Sequence, residues 1–537
     1  MNLIKRLNVE PFHSDFANCT EECMISVANY FKRNYILMYS QAWGFSFVEG
    51  IDQSSDLGYS LDADRGVIHE LLRLYHGFQI TINNEALAEQ VKENIISELD
   101  NNKPVGILMD TYYYSWDPNR NQHGSHCFLI TGVDTQKELF YCTDPFFQKK
   151  DAILDFKDFI DGYLGVHFTV NLVNEEIADY SWKNIINNTI NKLSGRDRQG
   201  ESIFENMLKY ADYLEKNICL KNETSGEARI IDMPFYVKLQ DISRGRKQYA
   251  LFIEEIASRH NISGLFEIAK KLKHASTKWD VVRGIMVKAV LSSDESIVKE
   301  KLSPKIREIA NIEKDIFDLI TNIVMDSNSS DNKLIKDMDE KTLIIENIDN
   351  IDNLNDYTYL NLDKYFNNNA FGSRLNNETT ANLDGKGLFF VAEDIPTEEI
   401  WHIEDMKFKF PRYLEGTNDN IACSEQFIEV PNVKGNTLMI LATAEFGSFS
   451  DLITIKYKDG SNEQISISYT EFYFEPIFGE SVAWEGRACE RTENDIHIYN
   501  SVVRIFAGNY RLKKSGIITG IELPYLPNIH IFSMTIS

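Results

Sequence analysis

The chain has 537 residues, and its 81 Asp and Glu outnumber its 55 Lys and Arg for a formal net charge of −26. That length is too great for one ordinary core and predicts about two to four domains. The acidity excludes sequence-independent binding to a phosphate backbone, which needs a basic surface; it suits a cationic small substrate such as a polyamine or aminosugar, or simple solubility.

Hydrophobic residues make up 43% of the chain, enough for sizeable cores. No apolar run approaches the ~18 residues of a membrane helix. Met1 to Pro11 carries no apolar segment of the secretory kind, so a cytoplasmic location is expected. The seven cysteines are odd in number and scattered without a CxxC, which is neither a disulfide framework nor a zinc ribbon.

In chain order, residues 1–175 mix a helix with apolar strands at Val105–Met109, Cys127–Val133, Leu139–Thr143 and Val166–Val173, as expected of an α+β domain. Residues 176–325 read as all-helical, with apolar residues three and four apart in Glu205–Glu215, Arg246–Arg259 and Gly264–Lys273. Residues 326–356 are acidic and rich in asparagine, without glycine or proline, and read as a linker. Residues 357–537 carry short alternating runs: Lys407–Phe410, Gln426–Val430, Leu438–Thr443, Ile453–Tyr457, Gln464–Tyr469, Ser501–Phe506 and His530–Ile536. These predict an antiparallel β-sandwich.

One thiol stands out. Cys19 follows Asn18 and precedes Glu21 and Glu22, while Cys23, Val27, Tyr30 and Phe31 form an apolar helical stripe. Cys19 is therefore expected at a helix N-terminus, where unpaired backbone N–H groups and the helix dipole favour thiolate. A base is expected at His126, at the head of an apolar strand. With the turn centred on Thr135, facing positions sum to 270 and His126 falls opposite Asp144, placed to orient the imidazole. Cys127, next to His126 on a strand, points to the other face; Cys23 and Cys142 are expected in the core. His123, in a Gly-Ser loop, reads as a lid residue. Convergence of His13, His123 and His126 on zinc is the rival chemistry, but it lacks a supporting motif. Tyr112, Tyr113, Tyr114 and Trp116 are candidates for the wall of a substrate channel.

These residues carry a resemblance. Pro11-Phe12-His13, Asn18-Cys19, Lys103 to Tyr114, Ser125 to Asp134 and Thr143-Asp144-Pro145 resemble the N-terminal domain of butirosin biosynthesis protein H, itself similar to leader peptidases of the papain-like group. The resemblance continues loosely through Ser243–Ala257 and Trp279, to about residue 325. It implies a papain-like fold and a cysteine-dependent acyltransferase. In that reading an acyl or peptidyl chain passes from the phosphopantetheine thioester of a carrier protein to Cys19, and then to an amine acceptor. No cofactor of the protein's own is implied. The resemblance assigns Cys19, His126 and Asp144 to catalysis. It puts His13, six residues before Cys19, where the papain-like group has an oxyanion-binding Gln. The alternatives are a cysteine peptidase or amidase, and a non-catalytic ligand-binding protein.

The C-terminal region resembles β-sandwich modules attached to some glycoside hydrolases, through Gln426–Pro431, Tyr457–Ser461, Leu523-Pro524 and Asn528–Phe532. A chain ending near Met325 is expected to keep the thiol site. Arg244, Arg246 and Lys247, and separately Lys270, Lys271 and Lys273, are expected to offer basic patches to an acidic carrier.

Overall fold

The computed structural model describes residues 3–49, 57–85, 87–117, 123–173, 180–196, 200–217, 220, 223, 229–326, 357–492 and 496–537. The expected linker lies outside the described residues, Asp326 excepted, as does Cys219.

The N-terminal part contains the strands β1 (Ile4–Arg6), β2 (Ser46–Phe47), β3 (Leu61–Asp62), β4 (Phe78–Asn84), β5 (Val105–Asp110), β6 (Ser125–Asp134), β7 (Leu139–Asp144), β8 (Lys149–Asp155) and β9 (Tyr163–Leu172). Its helices are α1 (Cys19–Tyr30), α2 (Ile68–His76), α3 (Ala88–Asp100) and α4 (Phe156–Gly162). The main sheet is antiparallel in the order β4-β9-β5-β6-β7-β8, with β1 added to the end of β6; β2 and β3 form a separate ribbon. Helix α1 packs on β6. There Cys127, Leu129 and Val133 are buried together with Cys23 and Val27.

The middle region is helical, as expected: α5 (Trp182–Leu193), α6 (Ile203–Asn217), α7 (Pro234–His260), α8 (Ser263–Ser292), the short α9 (Glu295–Ile297) and α10 (Ser303–Asp326). Its centre is an ion pair with no solvent contact. The Arg246 guanidinium on α7 donates to both oxygens of Glu313 on α10, at 2.8 and 2.9 Å, and also to the carbonyls of Gly44 and Ile242. The indoles of Trp43 and Trp279 donate to the same carboxylate at 2.7 and 2.8 Å. Arg246 is thus no part of a surface patch, because the helical stripe of α7 turns it inward among tryptophans. Arg244 is paired with Asp241, and Lys247 with Asp15.

The C-terminal strands are β10 (Thr358–Tyr359), β11 (Phe371–Gly372), β12 (Leu388–Val391), β13 (Ile400–Ile403), β14 (Met406–Lys409), β15 (Ile421–Ser424), β16 (Phe427–Ala444), β17 (Phe449–Tyr457), β18 (Asn462–Tyr469), β19 (Ser481–Arg491), β20 (Ile496–Glu522) and β21 (Tyr525–Ile536). The runs at Gln426–Val430 and Leu438–Thr443 belong to one long strand, β16, whose pairing with β20 shifts register twice. Alternation along it feeds two cores. Leu438, Ile440 and Ala442 join the core shared with the helices, while Met439 and Leu441 join a second core with Trp401, Phe408 and Trp484.

Helix α8 lies against β17 and β21. The would-be Cβ of Gly284 stands 2.7 Å from Asn528 Oδ1 and 2.9 Å from Phe449, so only glycine permits this approach. The Arg283 guanidinium sits over the rings of Tyr236 and Phe449, and Lys288 pairs with the buried Glu445. A chain ending near Met325 would bare this whole stripe of α8.

Removing Glu313 strands a buried guanidinium and two indole N–H groups. Glu313→Ala should cost about 3–5 kcal/mol of stability, read as the urea midpoint of the full chain. A loss under about 1 kcal/mol would contradict the role given to this pair.

Candidate thiol site

Cys19 is the first residue of α1. The preceding Asn18 caps the helix, its side chain accepting from Glu21 N while the Glu21 carboxylate accepts from Asn18 N, a capping box. The two first-turn carboxylates are not surface ornaments of the helix dipole. Glu21 is buried and also accepts from Arg65 Nη1 and Gln248 Nε2, each at 2.8 Å. Gln248, on α7, donates a further hydrogen bond to the carbonyl of Phe16 at 2.8 Å. The helical region thereby fixes the loop that delivers Cys19. Glu22 is fully buried and accepts from His13 Nδ1 at 2.8 Å and Ser14 N at 2.9 Å.

His126 and Asp144 meet, but not by the expected register. In the β6–β7 hairpin Leu129 faces Thr143 and Ile130 faces Cys142; the ladder then shifts, so that Gly132 faces Tyr141. Facing positions sum to 272 beyond the bulge rather than 270, which makes Asp144 a diagonal neighbour of His126, two places along the strand. Parity is kept, both side chains share a face, and His126 Nε2 lies 3.1 and 3.0 Å from the two Asp144 oxygens. Trp116 Nε1 donates to Asp144 Oδ2 at 2.9 Å, and Phe147 N donates to Oδ1 at 3.3 Å. The carboxylate is fully buried and saturated with donors. The Trp116 bond is a role that sequence reasoning missed.

With Nε2 committed to Asp144, Nδ1 is the ring nitrogen left for Cys19, which interacts with His126 closely enough to raise its pKa. Burial works against charge on this imidazole. Hydrogen bonds to Asp144 and Cys19 outweigh it and raise the pKa to about 10. The ring is enclosed by aromatics: Phe147 at 5.3 Å, Phe146 at 5.6 Å, Phe128 at 6.2 Å and Tyr114 at 6.3 Å between centroids.

The expected channel wall divides. Tyr114 is buried, its hydroxyl donating to Asp117, and Trp116 packs on it. Tyr113 lies against Gly162 of α4. Tyr112 is 52% exposed and stacks on His123, away from His126. His123 bonds Asp110 at 2.7 Å at the edge of residues 118–122, which lie outside the described set. Each of the three histidines weighed for zinc is held by a different carboxylate, and among the described residues no three potential ligands stand together. His13 does belong to the neighbourhood: its ring stands edge-on to Phe146 at 5.7 Å, and Phe146 also flanks His126.

Among known families, residues 28–145 match the family model for the N-terminal region of butirosin biosynthesis protein H. Residues 356–537 match that of the AziU2-like β-sandwich domain. The first match takes in Trp116, His126 and Asp144 and begins after Cys19; the helical region lies outside both. No curated protein matches the chain. Among the described residues no helix is long and apolar enough to cross a membrane.

Cys19 is half-buried, whereas Cys23 and Cys142 have no exposure and burial holds their thiols well above the usual range. Iodoacetamide at neutral pH should label Cys19 at least roughly tenfold faster than either of them, read by peptide mass mapping of the folded protein. Equal rates would contradict the placement.

Proposed function

We propose that the chain is a cysteine-dependent acyltransferase that forms amides. The observation that carries this reading is the thiol at the start of α1 beside a histidine whose Nε2 is held by a buried carboxylate. Cys19 attacks the carbonyl carbon of an acyl or peptidyl thioester, which a carrier protein presents on phosphopantetheine. Cys19 makes this attack as the thiolate, the nucleophilic form of a thiol. His126 gives its proton to the departing thiol. An amine then attacks the acyl-Cys19 thioester, and His126 takes the amine proton as the amide forms and the Cys19 thiolate leaves. Asp144 keeps the ring in the orientation that points Nδ1 at the sulfur.

Transfer to an amine is favoured over hydrolysis by the aromatic enclosure of His126. Phe146, Phe147, Tyr114 and Phe128 leave little polar surface for an ordered water at the base. The match to a family named for butirosin biosynthesis supports a biosynthetic rather than degradative role, and the acidic chain suits a cationic acceptor such as an aminosugar or polyamine. Of the two basic groups considered for carrier docking, the lysines of α8 remain. Lys273 is paired with Glu254, Lys271 approaches Glu267, and Lys270 is exposed.

The test is single-turnover acylation of the full chain by an acyl-carrier thioester, followed by a chase with amine, both read by intact mass. The wild-type protein should gain one acyl group and lose it as amide faster than as acid. Asp144→Asn should slow acylation by ~10³–10⁴ with an unchanged far-UV circular dichroism spectrum. A variant within a few-fold of wild type, or release solely as acid, would contradict the reading.

A further inference from the structure

Of the hydrogen bonds to Asp144 described above, the shortest comes from outside the hairpin. We infer that Trp116 is a positioning residue of the acyl transfer: its indole N–H meets the charge of Asp144 while His126 is without its proton, and so lets His126 give that proton to the departing thiol. The inference rests on the reading of Cys19 as an acyl-accepting nucleophile.

The strand that carries the base also seats the indole. Phe128 lies two residues along β6 from His126, on the same face. Its ring meets those of Tyr114 and Trp116 edge-on, at 5.1 Å each. Tyr114 and Trp116 lie 4.6 Å apart, and the Tyr114 hydroxyl donates to Asp117 at 3.1 Å. From this seat Trp116 Nε1 reaches Asp144 Oδ2 at 2.9 Å. His126 Nε2 lies 3.0 and 3.1 Å from the two oxygens, and Phe147 N lies 3.3 Å from Oδ1. Oδ2 is thus shared between imidazole and indole, and an indole N–H can only donate.

Asp144 has no solvent contact, and among the described residues the cation paired with it is His126. The proposed reaction takes that cation away. The Cys19 sulfur bonds to the carbonyl carbon as the π pair moves onto oxygen. The pair returns, the carbon–sulfur bond of the donor breaks, and the His126 proton goes to the departing thiolate. From then until an amine gives up its proton, His126 is neutral and Asp144 is a buried carboxylate without a counter-charge. That state is strongly unfavourable unless fixed donors meet it. Two do: Trp116 on Oδ2 and Phe147 on Oδ1. The indole bond is stronger beside a neutral ring than beside an imidazolium that shares the carboxylate. It therefore favours release of the proton and opposes the upward pull of Asp144 on His126. Without the indole donor, His126 is a weaker acid and a stronger base.

The groups around the pair leave this exchange to His126 and Cys19. Burial holds the thiols of Cys23 and Cys142 and the phenol of Tyr114 well above their usual ranges. Asp117 accepts from Tyr114, His13 is paired with Glu22, and Cys127 is buried with Cys23, whose thiol donates to its carbonyl. Cys19 faces the ring from α1.

The two half-reactions then respond differently. An alkyl thiol departs with the help of an acid, an aryl thiol is acidic enough to leave without one, and an amine needs a base. Trp116→Phe keeps an aromatic ring and removes the donor. In the full-length chain it should slow acylation by an N-acetylcysteamine thioester by about tenfold. Acylation by the thiophenol thioester of the same acyl group, and aminolysis of the acyl-Cys19 intermediate, should stay within about threefold of wild type. Equal loss in all three, or an unchanged alkyl rate, would overturn the inference. A second measurement leaves Trp116 in place. The chain is labelled with fluorotryptophan, and one of its six fluorine resonances should move with pH alongside His126, at about 10, and lose that midpoint in Asp144→Asn. If no resonance follows His126, the inference fails whether or not Trp116→Phe folds. A wild-type protein that no thioester acylates contradicts the transfer reading, and the fluorine titration then decides by itself whether the indole answers to His126.

Discussion

Two consecutive buried carboxylates at the start of α1 organise the molecule around its thiol. Glu21 ties the helix cap to Arg65 and to Gln248 of α7, and Glu22 ties it to His13. Neither charge could be buried alone. Each is tolerated because an Arg, a His or a set of N–H donors meets it, and those partners come from distant parts of the chain. The sulfur of Cys19 is therefore placed by contacts reaching from residue 13 to residue 248, not by the local sequence that presents it.

The same logic recurs through the fold. Arg246 and Glu313 bind α7 to α10 and to the loop carrying Trp43, and Lys288 with Glu445 binds α8 to the sheet. Gln248 lies two places from Arg246 on α7, so the helix that supports the thiol loop is itself anchored by the central ion pair. A rigid scaffold of this kind holds the thiol, His126 and Asp144 at fixed mutual distances, as the proposed acyl transfer requires.

Much of this was legible in the sequence, and the failures have physical causes. The helix-start thiol, the four strands of the N-terminal sheet singled out by their apolar runs and the helical middle follow from periodicity. His126 and Asp144 were placed on one face correctly because parity survives a two-residue error. The register was missed first at the turn, where Asp134 faces Leu139 for a sum of 273; the bulge at Thr131 then shifts it by one place to 272, and a bulge inside a fully apolar strand leaves no trace in the hydrophobic pattern. Arg246 looked like a surface charge because Arg244-Gly245-Arg246-Lys247 reads as a basic run. Its burial depends on Glu313, 67 residues on, which nothing local announces. The Trp116 bond to Asp144 spans 28 residues and was equally invisible, and Tyr112 was grouped with Tyr114 by adjacency although the chain turns it outward onto His123.

The account turns on one charged ring: His126, held between Asp144 and Cys19. The most direct test is an NMR titration of the histidine side chains in the full-length protein, with His126 assigned by substitution. The account predicts that His126 keeps its proton through neutral pH and titrates near pH 10, in line with its raised pKa. It also predicts that the titration falls toward the ordinary histidine range in Asp144→Asn. A His126 that titrates near the ordinary value of about 6.5 in the wild-type protein would contradict it.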